Sequence, residues 1–150
     1  MGNFYILMDE NIRRGREAFS GFGSVRTMPG RAIRSSDLAN VDVLLTRSVT
    51  PINEDLLQGT SVRFVGSATT GTDHVDREYL ERAGIAFAHA PGANADSVVE
   101  YVIAALLTIA VRRSVTLEDR TIGIIGCGQI GGRLLRRLSA LGMRSEEHTS

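Results

Sequence analysis

The chain has 150 residues, enough for one domain with a substantial core or for parts of two domains. Hydrophobic residues make up 43% and charged residues 23%, and 17 basic residues balance 17 acidic ones. This balance gives no indication of a nucleic-acid partner or of a membrane surface. Every basic residue is an arginine, which excludes chemistry that needs a lysine amine, such as a Schiff base or a P-loop.

Cysteine use and the apolar segments predict a cytoplasmic protein without a metal site. The single cysteine, Cys127, cannot form an intramolecular disulfide or a cysteine-based zinc site by itself. The N-terminal stretch is followed at once by Asp9 and Glu10, which is unlike a signal peptide. The most apolar segment, residues 101–111, is shorter than the roughly 18 residues that a membrane span needs.

Short apolar runs alternate with short helical segments over the first ninety residues. Each apolar run has the length of a buried strand and is closed by turn-forming residues. The predicted strands are residues 4–8, 24–28, 41–46, 63–66 and 85–89. The predicted helices are residues 11–19, 35–38, 53–58 and 77–83. This alternation predicts an α/β fold with a parallel sheet flanked by helices.

The longest helix is predicted after residue 96. Residues 97–100 (SVVE) match a capping box, in which the serine and the glutamate satisfy backbone N–H groups at the start of a helix. Residues 101–111 are apolar nearly all round, so we expect this helix to be buried on most sides. Arg112 and Arg113 end it with the positive charge that a helix C-terminus favours.

A glycine-rich loop follows the next apolar strand, residues 121–125, and precedes an amphipathic helix. Gly126 permits a tight turn, Gly128 leaves the backbone open to a pyrophosphate, and Gly131 lets helix and strand pack closely. The start of the helix adds backbone donors for phosphate oxygens. The pattern favours dinucleotide binding over a purely structural glycine turn. The predicted cofactor-binding residues are Gly126, Gly128, Gln129, Ile130 and Gly131.

The acid that separates NAD from NADP is expected about 20 residues after the first glycine, at the end of a second strand. Glu146 lies at that spacing, but residues 144–150 (RSEEHTS) contain no aliphatic residue to build a strand. The same string is encoded in one reading frame of a common sequencing adaptor. We therefore expect residues 144–150 to be a non-native tail with no strand to place Glu146, which leaves NAD versus NADP open.

The order of these features resembles the D-isomer-specific 2-hydroxyacid dehydrogenases, over residues 3–143. That family joins a flavodoxin-like substrate domain through a long crossover helix to a Rossmann domain. The motifs that carry the resemblance are residues 8–11 (MDEN), 29–31 (PGR), 47–50 (RSVT), 66–76 (GSATTGTDHVD), 91–94 (PGAN) and 98–101 (VVEY). Residues 68–70 (ATT), where the family generally has a glycine-richer loop, are similar to a subfamily that acts on a phosphorylated 2-hydroxy acid.

The resemblance implies a domain organisation and an assembly state. Residues 1–95 would form the flavodoxin-like substrate-binding domain, and residues 96–143 the crossover helix and the truncated start of the Rossmann NAD-binding domain. The family's acid–base histidine, its carboxylate partner and a substrate-binding arginine come from later Rossmann segments. We therefore expect no catalytic residue within the chain. The resemblance also implies that the full-length protein is a homodimer.

Ser48 and Thr69 each follow a predicted strand, so they lie at the carboxyl ends of a parallel sheet, where ligands bind. Their hydroxyl groups can donate to an anionic substrate. The resemblance assigns both to substrate binding, and turn capping is the alternative. Strand alternation predicts that Arg47 points the other way. His74 with Asp73 is interpreted as stabilising the loop after the fourth strand, not as a catalytic group.

The resemblance implies transfer of a hydride from C2 of a small phosphorylated 2-hydroxy acid to NAD, with a histidine accepting the hydroxyl proton. One alternative is a family member that acts on an unphosphorylated acid, which residues 68–70 disfavour. A signalling receiver module would need a lysine, and the chain has none. A non-catalytic NAD-sensing protein of the same fold remains open.

Overall fold

The computed structural model describes residues 3–148, which form two compact units. The first unit runs to Pro91 and the second begins at Gly92. Among the described residues, no helix combines the length and the apolar character needed to span a bilayer. The predicted domain boundaries at residues 95 and 143 stay predictions.

The first unit is built on a five-stranded parallel sheet with the strand order β2-β1-β3-β4-β5. Its strands are β1 (Phe4–Asp9), β2 (Gly23–Met28), β3 (Val43–Thr46), β4 (Phe64–Ser67) and β5 (Ala86–His89). This order confirms the predicted α/β fold of the flavodoxin-like type. The chain changes direction across the sheet between β1 and β3, and such a switch point is where doubly wound sheets bind ligands.

Short helices connect these strands. They are α1 (Gly15–Phe19), α2 (Glu54–Leu57) and α3 (Arg77–Arg82), with 3-10 turns at Gly30–Ala32 and Ser35–Leu38. Side-chain caps determine where two of them begin: Asn53 accepts from the N–H of Leu56 at 3.1 Å, and Asp76 accepts from the N–H of Tyr79 at 2.9 Å.

Both faces of the sheet are apolar through the middle of the strands. Leu7, Leu44 and Val65 are fully buried on one face. Ile6, Met8 and Leu45 are buried in a separate cluster on the other face. Successive strand residues point to opposite faces, so a strand covered on both sides has a continuous apolar sequence. This explains the short, unbroken apolar runs of β1 and β3.

The second unit contains α4 (Ala95–Arg113), β6 (Thr121–Ile125), α5 (Gly131–Ala140) and β7 (Arg144–His148). Strands β6 and β7 are parallel and are joined through α5, as in the first βαβ unit of a nucleotide-binding sheet. The buried core of this unit consists of Val99, Ile124, Leu134, Leu138 and Met143.

Two expectations about α4 are wrong. The helix begins at Ala95 with Asn94 as its N-cap, so residues 97–100 lie inside the helix and do not form a capping box. Only Ala95, Val99 and Ala110 are buried in it, whereas Tyr101 is 76% exposed. Its contacts with β6 and α5 come from Val99 and from the partly buried residues Val102, Ile103 and Leu106. Its end at Arg113 agrees with the sequence prediction.

The expectation that residues 144–150 offer no strand is also wrong for residues 144–148, and residues 149 and 150 lie outside the described residues. Residues 144–148 form β7, which pairs with β6 from Thr121–Arg144 to Ile125–His148. Strand pairing uses backbone N–H and C=O groups, so an exposed strand can form without aliphatic side chains. The buried side chain of Met143 and the hydrogen bond from Arg144 N–H to the Arg120 carbonyl, at 2.8 Å, fix its start. The non-native origin of this segment stays a prediction.

We expect amide hydrogen exchange to differ between the two units. Strand β1 has a hydrogen-bonded neighbour on each side, β2 and β3, whereas β6 pairs only with β7 among the described residues. Amides at residues 6–8 should therefore exchange more slowly than those at residues 122–124, because opening β1 disrupts more buried contacts. Exchange monitored by mass spectrometry would measure this, and equal or stronger protection in β6 would contradict it.

Candidate functional site

Three buried polar residues end three adjacent strands of the first sheet. Asp9 ends β1, Thr46 ends β3 and Ser67 ends β4, and their exposed fractions are 0%, 0% and 4%. They continue the alternation of the buried apolar residues, so they form a polar row along the carboxyl edge on one face of the sheet. Thr46 pairs with Ser67 in register, and its hydroxyl has no partner among the described residues. We call Asp9, Thr46 and Ser67 the polar edge.

Sequence reasoning missed the polar edge. The available signal was the polar residue that stands at the end of each apolar run or within one residue after it: Asp9, Thr46 and Ser67. Buried polar groups are costly in an ordinary core. Their position at the β1–β3 switch point and on the next strand therefore marks this edge as the candidate ligand-binding region.

The carboxylate of Asp9 is held from two sides. Its Oδ2 accepts a hydrogen bond from Nε of Arg47 at 3.0 Å, and its Oδ1 accepts one from the N–H of Asn11 at 2.9 Å. A Cβ on Gly30 would overlap Oδ2, so only glycine leaves room for this carboxylate. The buried negative charge is therefore paired, as such charges must be.

Arg47 lies just beyond the end of β3, so strand alternation does not determine its direction. Its guanidinium turns to Asp9 and uses Nε for that contact. The terminal Nη groups have no protein partner among the described residues, and 34% of the side chain is exposed. The Nη groups are thus available as hydrogen-bond donors at the polar edge, while the charge of Arg47 is paired with that of Asp9.

Ser48 lies in the turn that follows β3. The turn is closed by the backbone, where the N–H of Thr50 donates to the Arg47 carbonyl at 3.2 Å. The hydroxyl of Thr50 donates to the Gly30 carbonyl at 2.9 Å and ties the turn to the neighbouring loop. Ser48 is exposed, and its hydroxyl has no partner within residues 3–148. Its side chain therefore does not cap the turn and is free to bind a ligand.

Thr69 lies in the loop that follows β4 and is half-buried. Its Oγ1 is 2.7 Å from Oγ of Ser67 and donates to the Gly71 carbonyl at 3.3 Å. Strands β3 and β4 are neighbours, so Ser48 and Thr69 follow adjacent strands at the same edge. Unlike Ser48, Thr69 also has contacts within its loop.

His74 supports the loop after β4, as the sequence interpretation proposed. Its Nε2 is 3.1 Å from Oγ of Ser67, and its carbonyl accepts from the N–H of Ile52 at 2.8 Å. Burial lowers the pKa of His74 below its usual value, and the nearby Asp73 carboxylate opposes this shift in part. The lowered pKa favours a neutral imidazole.

The glycine-rich loop of the second unit has the geometry that its sequence predicts. Gly126 has a φ of +86°, a conformation that favours glycine. A Cβ on Gly128 would meet no atom within 4 Å, so the backbone there is open to a ligand. A Cβ on Gly131 would overlap the Gly126 carbonyl oxygen, so α5 approaches the strand as closely as only glycine permits.

The start of α5 and the loop before it line a cleft of about 450 Å³. The cleft is lined by Cys127, Gly128, Gln129, Gly132, Arg133 and Arg136. Gln129 Oε1 accepts from Arg133 at 3.4 Å, and Ile130, the residue before α5, is 37% exposed. Within the described part of the chain no side chain caps this helix end, so its first backbone N–H groups can donate to an anion, while Arg133 pairs with Asp96.

Strand β7 gives Glu146 a defined position. Glu146 is exposed and lies opposite Gly123, whereas the end of β6 at Ile125 lies opposite His148. An acid that binds the ribose of a dinucleotide belongs at the carboxyl end of the second strand. Glu146 is two residues short of that level, so it does not resolve the choice between NAD and NADP.

A parallel sheet with a polar edge, followed by a glycine-rich loop between a strand and a helix, defines a class of dinucleotide-dependent enzymes, and comparison with known sequences identifies the family. A family model for the catalytic domain of D-isomer specific 2-hydroxyacid dehydrogenases matches residues 17–146. The chain belongs to the D-isomer-specific 2-hydroxyacid dehydrogenase family.

Within this family, the chain is similar to enzymes named erythronate-4-phosphate dehydrogenase. The one from Salinibacter ruber is 65% identical over 143 residues, which cover 95% of this chain and 36% of the relative. The one from Cronobacter sakazakii is 54% identical over 140 residues, which cover 93% of this chain and 37% of the relative. The chain therefore spans a little over a third of the length of these curated relatives.

Solved structures share the fold at lower sequence identity. A protein from Thermus thermophilus superposes with a TM-score of 0.82 at 20% identity, covering 97% of this chain and 56% of that one. A 3-phosphoglycerate dehydrogenase from Entamoeba histolytica, solved with NAD+ bound, superposes with a TM-score of 0.75 at 24% identity, covering 98% of this chain and 54% of that one.

Proposed function

We propose that the chain forms the substrate-binding domain and the beginning of the cofactor-binding domain of an NAD-dependent 4-phosphoerythronate dehydrogenase. The reaction is oxidation of the C2 hydroxyl to a 2-oxo acid, in the biosynthesis of pyridoxine and pyridoxal phosphate. The observation that carries the proposal is the 65% identity to an erythronate-4-phosphate dehydrogenase across both candidate sites.

The proposed substrate-binding residues are Ser48 and Thr69. Both hydroxyls follow adjacent strands at the polar edge, and the Ser48 hydroxyl has no protein partner within residues 3–148. A hydroxyl that donates to a carboxylate or phosphate oxygen makes a charge-assisted hydrogen bond, which is stronger than one between neutral groups. The Nη groups of Arg47, the residue before Ser48, add hydrogen-bond donors at the same edge. This edge therefore suits a small substrate that carries two anionic groups.

The proposed cofactor is NAD, bound by Gly126, Gly128, Gln129, Ile130 and Gly131. The open backbone at Gly128 and the uncapped start of α5 fit a pyrophosphate. When bound, NAD would accept the hydride released from C2 of the substrate. The residues of the loop bind and orient the cofactor, and none of them takes part in proton transfer.

The family resemblance implies that the acid–base histidine, its carboxylate partner and a substrate-binding arginine follow in the sequence of the full-length enzyme. The residues described here would then bind and orient substrate and cofactor without exchanging the substrate proton. We further propose a homodimeric enzyme in the cytoplasm.

We expect the full-length enzyme to reduce NAD+ when 4-phosphoerythronate is added, which absorbance of NADH would measure. Erythronate without the phosphate should be a much poorer substrate. We expect its kcat/KM to be lower by at least about 100-fold, because about two charge-assisted hydrogen bonds are lost. An equal kcat/KM for erythronate would favour a dehydrogenase of an unphosphorylated acid. Binding of NAD without turnover of either acid would favour the NAD-sensing alternative.

A further inference from the structure

Three side chains in and after β4 form a continuous hydrogen-bonded chain. His74 Nε2 lies 3.1 Å from Ser67 Oγ, and Ser67 Oγ lies 2.7 Å from Thr69 Oγ1. Thr69 Oγ1 in turn lies 3.3 Å from the Gly71 carbonyl oxygen. Ser67 is only 4% exposed, so water does not readily replace these partners. We call His74, Ser67 and Thr69 the hydroxyl relay.

The backbone holds His74 in place at the end of this relay. The Ile52 N–H donates to the His74 carbonyl, and the Asp76 N–H donates to the Ile52 carbonyl, each at 2.8 Å. These bonds form a parallel bridge between Ile52 and Val75. The imidazole is therefore attached to a fixed piece of backbone next to the buried Ser67.

Each hydroxyl can donate only one hydrogen bond, so the hydrogen bonds of the hydroxyl relay can point in only two directions. If His74 Nε2 carries a proton, it donates to Ser67, Ser67 donates to Thr69, and the Thr69 proton remains available. If Nε2 is bare, Ser67 donates to His74, Thr69 donates to Ser67, and Thr69 has no proton left to give. A neutral imidazole with its proton on Nε2 and a charged imidazole both support the first direction.

The Gly71 carbonyl selects between the two directions, because a carbonyl oxygen can only accept. Its contact with Thr69 requires the Thr69 proton to point away from Ser67. Ser67 must then donate to Thr69, which leaves His74 Nε2 as the donor to Ser67. At 3.3 Å the bond to Gly71 is long, so a carboxylate or phosphate oxygen would compete for the same proton effectively.

We propose that His74 is a positioning residue for substrate binding: its Nε2–H donates to Ser67 and thereby directs the Thr69 proton toward an anionic group of the substrate. This inference rests on the proposed role of Thr69. In the opposite direction, Thr69 would present only lone pairs to the anion, and the interaction would be repulsive.

The tautomer of His74 is the direct test and needs no ligand. Long-range proton–nitrogen correlation spectra of the chain, recorded at a pH where His74 is neutral, distinguish a proton on Nε2 from one on Nδ1. We expect the proton on Nε2. A proton on Nδ1 would overturn the inference, whatever the activity of the protein.

Three variants of the full-length enzyme test the consequence for substrate binding. His74→Gln keeps an N–H donor and should leave kcat/KM for 4-phosphoerythronate within about 3-fold of the wild type. His74→Glu accepts from Ser67, reverses the relay and should lower kcat/KM by at least about 10-fold. Ser67→Ala removes the connection between His74 and Thr69. Adding His74→Glu to Ser67→Ala should therefore lower kcat/KM by less than about 3-fold relative to Ser67→Ala alone.

The double variant separates reversal of the relay from simple repulsion by the new charge. An equal loss of kcat/KM from His74→Glu with and without Ser67 would contradict the relay, and the KM for NAD should not change in either case.

If Thr69→Ala leaves kcat/KM unchanged, the proposed substrate role of Thr69 fails. If Thr69→Ala lowers kcat/KM but His74→Glu does not, only the inference about His74 fails. Should His74→Glu not fold, the tautomer and His74→Gln decide the question.

Discussion

Gly128→Val should abolish effective NAD binding and leave the fold intact. A Cβ at Gly128 would meet no protein atom within 4 Å, so valine fits the protein in the absence of the cofactor. The same side chain would occupy the space that the pyrophosphate needs beside the backbone N–H groups. Losing two charge-assisted hydrogen bonds at about 1.5–3 kcal/mol each predicts at least about a 100-fold rise in the Kd and KM for NAD.

Gly123→Val is the matched control for this experiment. Gly123 lies in β6, before the loop, and a Cβ there would also meet no atom within 4 Å. Valine suits a strand, so this variant should keep both its melting temperature and its NAD affinity. Calorimetric titration with NAD gives the affinity and thermal melting gives the stability. Normal NAD binding by Gly128→Val would show that the loop is a structural glycine turn.

Ser48→Ala and Thr69→Ala should each lower kcat/KM for 4-phosphoerythronate by about 10- to 150-fold. Each change removes one hydroxyl that donates to an anionic oxygen, and such a bond contributes roughly 1.5–3 kcal/mol. The KM for NAD should stay constant, because both residues belong to the first unit and the glycine-rich loop to the second. Steady-state kinetics of the full-length enzyme, with each substrate varied in turn, measures both effects.

Thr60→Ala provides a control hydroxyl in the same unit. The Thr60 hydroxyl donates to the Leu57 carbonyl at 2.8 Å at the end of α2, so its loss should lower stability slightly and leave the kinetics unchanged. Ser48→Ala should keep its stability and lower kcat/KM, since the Ser48 hydroxyl has no partner within residues 3–148. A variant of Ser48 or Thr69 that loses stability but keeps normal substrate kinetics would identify that residue as a turn cap.

The sequence by itself determined the features that depend on local patterns. Unbroken apolar runs such as the one in β1 identify strands covered on both faces, because each face must be apolar. The backbone geometry of Gly126, Gly128 and Gly131 follows from their spacing and from the absence of a side chain, and the structure has that geometry at each position. Their role in binding NAD stays a proposal. The position of Ser48 and of Thr69 directly after a strand follows from the same strand assignments, whereas the strand order that makes the two strands neighbours comes from the structure.

Only the tertiary structure decided how polar groups from distant segments meet. Arg47 pairs with Asp9 across 38 positions of sequence, and His74 reaches Ser67 from the far end of a loop. No local period encodes such contacts, because they depend on strand order and loop path. The exposure of α4 and the formation of β7 were missed for a related reason. Burial depends on which elements cover a helix, and strand pairing depends on an available backbone edge rather than on apolar side chains.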